Sequence, residues 1–169
     1  MWALLKRFLK TGIVSEPLTA NNEDSMQSLG HALEKAILKR FSRSLAIRLV
    51  DAGSCNACEL EVNAACNPLY NLERFGIRFV ASPRHADMLL VTGPVTLNMA
   101  DALQKTYEAT PDPKLVVALG DCAHCGGIFK DSPAVKGGVS HLIPVDVTVP
   151  GCPPTPIQII RGILTAINA

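Results

Sequence analysis

The sequence predicts an α/β domain built on a parallel sheet with helices on both faces. Three observations carry this. From Ser44 onward, short apolar runs of four to six residues alternate with stretches of helical periodicity. The runs at 88–91 and 115–119 are continuously hydrophobic, as strands buried on both faces are. The composition, 48% hydrophobic and 18% charged over 169 residues, supplies enough apolar surface for a packed core and excludes a disordered chain.

The elements follow in order. Residues 1–10 hold Lys6, Arg7 and Lys10 with no acid. On a helix, Leu5, Phe8 and Leu9 share one face with Trp2 near it, a segment suited to a membrane interface or a partner, against the plainer reading of a frayed terminus. Ser15 to Ser25 is polar, contains Pro17, Asn21 and Asn22, and reads as a linker. Leu29, Leu33, Ala36, Ile37 and Phe41 recur at helical spacing, so 26–42 reads as an amphipathic helix. Residues 1–43 therefore form an N-terminal helical extension and linker, and 44–169 the domain. Strands are expected at 45–50, 77–80, 88–91, 115–119 and 145–149. Helices are expected near 58–66, 97–109 and 154–167, the last with Thr155 as N-cap and Pro156 in its first turn. The expected architecture is a flavodoxin-like parallel sheet plus the N-terminal extension.

Charge and composition narrow the function classes. Lys and Arg number 16 against 15 Asp and Glu, for a net charge of +1, so nucleic acid is not a default partner. Aromatic residues are 5% of the chain, too few for a single-strand stacking platform. No run of 18 apolar residues is present, and no secretory signal is read at the start. The six cysteines are therefore read in a reducing compartment, where clustered thiols bind metal or do redox work.

Their placement is the informative feature. Strand 45–50 leads into Gly53-Ser54-Cys55-Asn56-Ala57-Cys58, strand 115–119 into Gly120-Asp121-Cys122, and strand 145–149 into Pro150-Gly151-Cys152-Pro153-Pro154. In a parallel sheet the carboxyl ends of strands lie on one edge, where ligands bind. Cys55, Cys58, Cys122 and Cys152 are thus expected to converge. Cys66 is about 12 Å from Cys58 along a helix and reads as an apolar buried cysteine. Cys125, beside Cys122, competes as a ligand.

Four thiolates suit a [4Fe–4S] cluster or structural zinc. Two C-x-x-C pairs, 55/58 and 122/125, mimic a zinc ribbon, but 63 residues separate them where about 15–20 are usual. That pairing also leaves Cys152 unused, so iron–sulfur is favoured. Haem attachment fails because Glu59 and Gly126, not histidine, follow the pairs. Neither G-x-G-x-x-G nor a P-loop occurs. His124 reads as a loop histidine, and Pro83-Arg84-His85-Ala86-Asp87 as a solvated turn.

These motifs, with Glu73-Arg74-Phe75-Gly76-Ile77, Ser82-Pro83-Arg84-His85-Ala86-Asp87, Val91-Thr92-Gly93-Pro94-Val95-Thr96, Gly126-Gly127-Ile128-Phe129, Ile143-Pro144-Val145-Asp146-Val147 and Pro150-Gly151-Cys152-Pro153-Pro154-Thr155-Pro156, closely resemble the small subunit of energy-converting, group 4 [NiFe] hydrogenases of the formate hydrogenlyase type. They also resemble the B subunit of respiratory complex I. The likeness covers residues 45–167. It implies one [4Fe–4S] cluster, proximal to a partner's active site, on Cys55, Cys58, Cys122 and Cys152. The complex I branch carries adjacent cysteines at the first pair, so the separated pair here tilts toward a hydrogenase. Ala57 departs from the family's glycine, and Cys66 and Cys125 are additional. Two C-x-x-C motifs also bind nickel–iron in hydrogenase large subunits, but the flanking matches are to the small subunit.

The resemblance implies an electron-relay subunit of an oxidoreductase, with no nickel site of its own. Implied partners are a hydrogenase large subunit, a ferredoxin-like iron–sulfur subunit and membrane subunits. The implied location is peripheral, at the cytoplasmic face of a membrane. Alternatives are a complex I-like subunit relaying electrons to quinone and a zinc-stabilised scaffold. Glu61 matches an acidic position after the cysteine pair and is a candidate for the large-subunit contact or proton movement. Arg84 is a candidate for placing positive charge near the cluster or interface. Each is weighed against a surface salt bridge.

Overall fold

The computed structural model describes Trp2, Lys6, Lys10 and residues 21–169. The apolar face expected of Leu5, Phe8 and Leu9 lies outside the described residues, and Trp2 is exposed. In chain order the elements are α1 (Asn21–Phe41), β1 (Leu45–Asp51), α2 (Ala57–Ala65), β2 (Ile77–Phe79), β3 (Met88–Thr92), β4 (Val95–Thr96), α3 (Leu97–Ala109), β5 (Leu115–Leu119), α4 (Asp121–Cys125), β6 (Val135–Gly137), β7 (Val147–Val149) and α5 (Pro156–Asn168).

Five strands form one parallel sheet in the order β2-β1-β3-β5-β7. Leaving aside the small β4–β6 ribbon, this is the doubly wound order 2-1-3-4-5, with its crevice at the carboxyl ends. Every residue of β3 and β5 is buried, which is why β5 is an unbroken apolar run and β3 is one up to Thr92. Helices α1, α2 and α5 cover one face around Leu45, Ile47, Leu90 and Val117. Helix α3 and the 139–143 segment cover the other around Val50, Leu89, Val91 and Val116.

Helix α1 begins at Asn21, so part of the expected linker is helical; residues 15–20 lie outside the described ones. The predicted stripe is the buried one. Leu33 and Ile37 have no appreciable exposure, and Gly30 lies against Phe75, where a Cβ would come within 2.1 Å of the ring. Arg40 near the end of α1 donates to the Ala166 carbonyl at 3.3 Å, satisfying an acceptor in the last turn of α5. Helix α1 thus shares the core of residues 44–169.

The 83–87 turn is only partly solvated. Arg84 and His85 are exposed, but Asp87 is buried. Its carboxylate accepts from Arg43 at 2.9 and 2.6 Å and from the Ala46 N–H at 3.0 Å. This ties the start of β1 to the entry of β3. Strand β7 starts two residues later than expected. There the Asp146 carboxylate accepts from Val116 N–H at 2.7 Å, replacing a ladder bond.

Candidate functional site

Three loops leave the carboxyl edge of the sheet, each shaped by a different device. After β1, Asp51 Oδ1 accepts from the N–H groups of Gly53 (2.7 Å) and Ser54 (2.6 Å), an Asx turn that swings the chain toward Cys55. Asn56 then takes the left-handed conformation as N-cap of α2, with its N–H on Ser54 Oγ at 3.0 Å. Cys55 is left exposed and Cys58 buried in the first turn of the helix.

After β5, Gly120 turns at φ 88° and ψ 164° into the short helix α4, which carries Cys122. An L side chain rarely adopts that backbone, and a Cβ at Gly120 would sit 2.8 Å from Cys58 Sγ. After β7, Gly151 (φ 136°) leads into Cys152 and the cis Cys152–Pro153 bond. Cys152 is exposed.

All four thiols, Cys55, Cys58, Cys122 and Cys152, line one recess of about 290 Å³ including its open side, walled also by Gly93 and Pro153. The structure therefore brings together the four cysteines that the sequence scatters over 98 positions, from 55 to 152. Their closeness is electrostatic as well as geometric. The Cys58 thiol is pushed up to about 12, first by burial, then by Glu59, then by Cys122, Cys55 and Cys152. Burial also raises Cys122, followed by Cys152 and Cys55, while the Ile128 N–H opposes the shift. These shifts disfavour the thiolate forms that metal binding requires, so a cation held by the four sulfurs would have to offset their mutual repulsion.

The donor set fits an iron–sulfur core. Each iron of such a core takes one thiolate, so its ligands ring a volume, whereas zinc needs four donors near 2.3 Å from one point. Here the four thiols line one recess, an arrangement compatible with ligands that ring a volume. Glycine keeps the space open: a Cβ at Gly127 would lie 2.7 Å from Cys122 Sγ.

The remaining candidates lie elsewhere. Cys125 is exposed, donates to the Asp121 carbonyl at 3.4 Å and is not part of the recess wall. Cys66 is part-buried at the end of α2, beside Arg48, Val62 and Phe79 in a separate cavity, and burial and Glu73 raise its thiol. Glu61 is part-buried on α2, one turn beyond Cys58. Arg84 sits before β3, at the amino end of the sheet, roughly 15 Å of strand away from the thiol edge. It is not brought to the cysteines.

Two residues at the site carry no motif signal in the sequence. Glu59 is buried beside Cys58; Thr92 Oγ1 donates to its Oε1, and its Oε2 has no partner among the described residues. Asp121 precedes Cys122 and accepts from the Gly151 N–H at 2.8 Å. Adjacency to a cysteine was the only signal available for either.

With this geometry in hand, comparison with known proteins is direct. The chain is 49% identical over 139 residues to the probable membrane-bound hydrogenase subunit mbhJ of Pyrococcus furiosus, covering 80% of this chain and 83% of that one. It is 45% identical over 137 residues to formate hydrogenlyase subunit 7 of Escherichia coli, covering 81% of this chain but 54% of that longer protein. Among solved structures, a chain of the membrane-bound sulfane sulfur reductase, an archaeal respiratory membrane complex, matches with a TM-score of 0.67 and 35% identity, covering 80% of this chain and 74% of that one. Residues 55–166, which contain all four recess cysteines, match the family described as NADH ubiquinone oxidoreductase, 20 Kd subunit, and the chain belongs to that family.

Proposed function

We propose that the protein is the electron-transfer small subunit of a membrane-associated [NiFe] hydrogenase complex, with one [4Fe–4S] cluster held by Cys55, Cys58, Cys122 and Cys152. The observation that carries this is the convergence of four thiols from three strand ends on one recess. The relatives with hydrogenase names, and the separated Cys55–Cys58 pair, favour hydrogen chemistry in the partner.

When bound, the cluster supplies a one-electron store. The chain's own residues set its surroundings. Burial of Cys58 restricts water on one side, while exposed Cys55 and Cys152 leave the other side open to a neighbouring subunit. The Ile128 N–H points at the Cys122 sulfur, a contact that stabilises negative charge there. No described helix is long and apolar enough to cross a membrane, which accords with peripheral attachment through membrane subunits. The large subunit would hold nickel–iron, and a ferredoxin-like subunit would exchange electrons at the other end.

The test is anaerobic purification of the chain with its partners, followed by iron, sulfide and zinc analysis and electron paramagnetic resonance of the reduced state. Four irons and four sulfides per chain are expected of such a cluster. Stoichiometric zinc without sulfide rejects the reading in favour of a scaffold. The family description itself favours a second reading, electron relay to quinone. A co-purifying large subunit without nickel decides for it.

A further inference from the structure

We infer that Asp121 is a positioning residue that fixes the spacing between the sulfur atoms of Cys122 and Cys152; this rests on the reading that the recess holds a cluster. Cys122 and Cys152 come from loops after β5 and β7, which are neighbours in the sheet, with Leu119 opposite Val149. The ladder continues one step past the strands, from the Gly120 N–H to the Val149 carbonyl at 2.8 Å. Beyond it the backbones diverge, because β5 turns into α4 while β7 runs on into the Gly151 turn. At that point Asp121 makes a reciprocal pair. Its N–H donates to the Gly151 carbonyl at 2.9 Å, and its Oδ1 accepts from the Gly151 N–H at 2.8 Å. One bond is backbone and the other is side chain, so a carboxylate replaces the acceptor that the departing strand no longer offers.

Each member of this pair is the residue immediately before a thiol: Asp121 before Cys122, Gly151 before Cys152. No cation pairs with Asp121 among the described residues, so its carboxylate is committed to Gly151. Losing the side-chain bond frees the Gly151 turn, which lacks a Cβ and relaxes easily. Cys152 then swings relative to Cys122, while the residual backbone bond keeps the sheet intact.

The experiment uses the complex purified anaerobically with its partner subunits, as wild type, Asp121→Asn, Asp121→Ala and Asp121→Glu. The readouts are iron release to a chelator and the reduced-state paramagnetic spectrum. Asp121→Asn keeps an oxygen acceptor and is expected to match wild type in both. Asp121→Ala is expected to release iron about fivefold faster, the effect of one hydrogen bond, with altered g-values. Asp121→Glu keeps the charge but moves the acceptor, and its spectrum is expected to shift. If the alanine variant does not accumulate, the asparagine and glutamate variants decide: a wild-type spectrum for Glu with a changed one for Asn overturns the inference, because charge and not the bond would then be acting. Unchanged release and spectrum in Asp121→Ala overturn it as well. A wild-type complex without iron and sulfide refutes the cluster reading itself, and a loaded wild type with an unaffected alanine variant refutes only the positioning role.

Discussion

Gly120→Ala is the sharpest perturbation of the recess, because two separate costs can be worked out for it. The first is backbone strain. At φ 88° and ψ 164°, Gly120 occupies a region used almost solely by glycine, and an L residue there costs about 1–3 kcal/mol. The second is displacement. The new Cβ would lie 2.8 Å from Cys58 Sγ and 3.2 Å from the Gly151 carbonyl oxygen. Non-bonded carbon contacts relax near 3.5–4.0 Å, and sulfur is larger, so the thiol must withdraw by roughly 0.7 Å or more. Metal–ligand bonds tolerate only about 0.2 Å. The expected outcome is a folded protein with iron and sulfide below about half of wild type and an altered reduced-state spectrum. Gly76→Ala is the control. It also sits at positive φ, 84°, but its nearest new contact is Ile37 at 4.0 Å, far from the thiols. That variant should lose thermal stability while keeping wild-type iron. Full iron and sulfide with an unchanged spectrum in Gly120→Ala would refute the placement of Cys58 against this turn.

Four further outcomes follow from the same structure. The Cys58 thiol is raised from 9.0 to about 12, so folding favours its neutral form; the metal-free protein should hold its stability below about pH 9 and lose it as pH rises toward 12, which chemical denaturation across that range checks. Asp87→Ala should destabilise by about 2–3 kcal/mol, because it strips a buried N–H at Ala46 of its acceptor, and Arg43→Ala by about 1 kcal/mol in a salt-sensitive way, since Arg43 is 53% exposed. Leu33→Ala should cost about 2–5 kcal/mol by thermal unfolding if α1 belongs to the core as its burial implies. Cys125→Ser should keep wild-type iron content, whereas Cys152→Ser should lose it, measured on complexes purified side by side.

Much of the architecture was legible because parallel strands buried on both faces write themselves as apolar runs. Strands β1, β3 and β5 stand where Leu45–Val50, Met88–Val91 and Leu115–Leu119 announced them. Helix α5 starts with Thr155 and Pro156 as read, with Gln158 Oε1 accepting from the Thr155 N–H at 2.8 Å. The β4–β6 ribbon was not legible. Strands of two and three residues have no periodicity to detect, and Thr96 and Val135 find each other only across 38 intervening positions. The early start of α1 was hidden because Asn21, Asn22 and Asp24 favour turns locally, while the turns that follow are packed against α5 and Phe75.

At the recess, the thiols were legible and their supports were not, and the reason is physical. A cysteine after each of three strands is a pattern in one dimension, and the parallel sheet converts it into proximity by rule. Hydrogen bonds between loops obey no such rule. Asp51 could be suspected, since Asp-x-Gly-Ser after a strand is turn chemistry that acts within four residues. Asp121 could not, because its partner Gly151 is 30 positions away and meets it only where β5 and β7 diverge. The acid singled out after the cysteine pair illustrates the same limit. Glu59 and Glu61 are two residues apart on α2, so the helix turns them about 200° from each other. It is Glu59 that turns inward to Thr92, with one oxygen buried beside Cys58 and unpartnered among the described residues, while Glu61 remains part-exposed. Which of two neighbouring acids faces a buried thiol is set by the rotation of the helix against the sheet. That rotation is fixed by Val62 and Ala65 seated in the core, which places the 58/59 side of the first turn against β3.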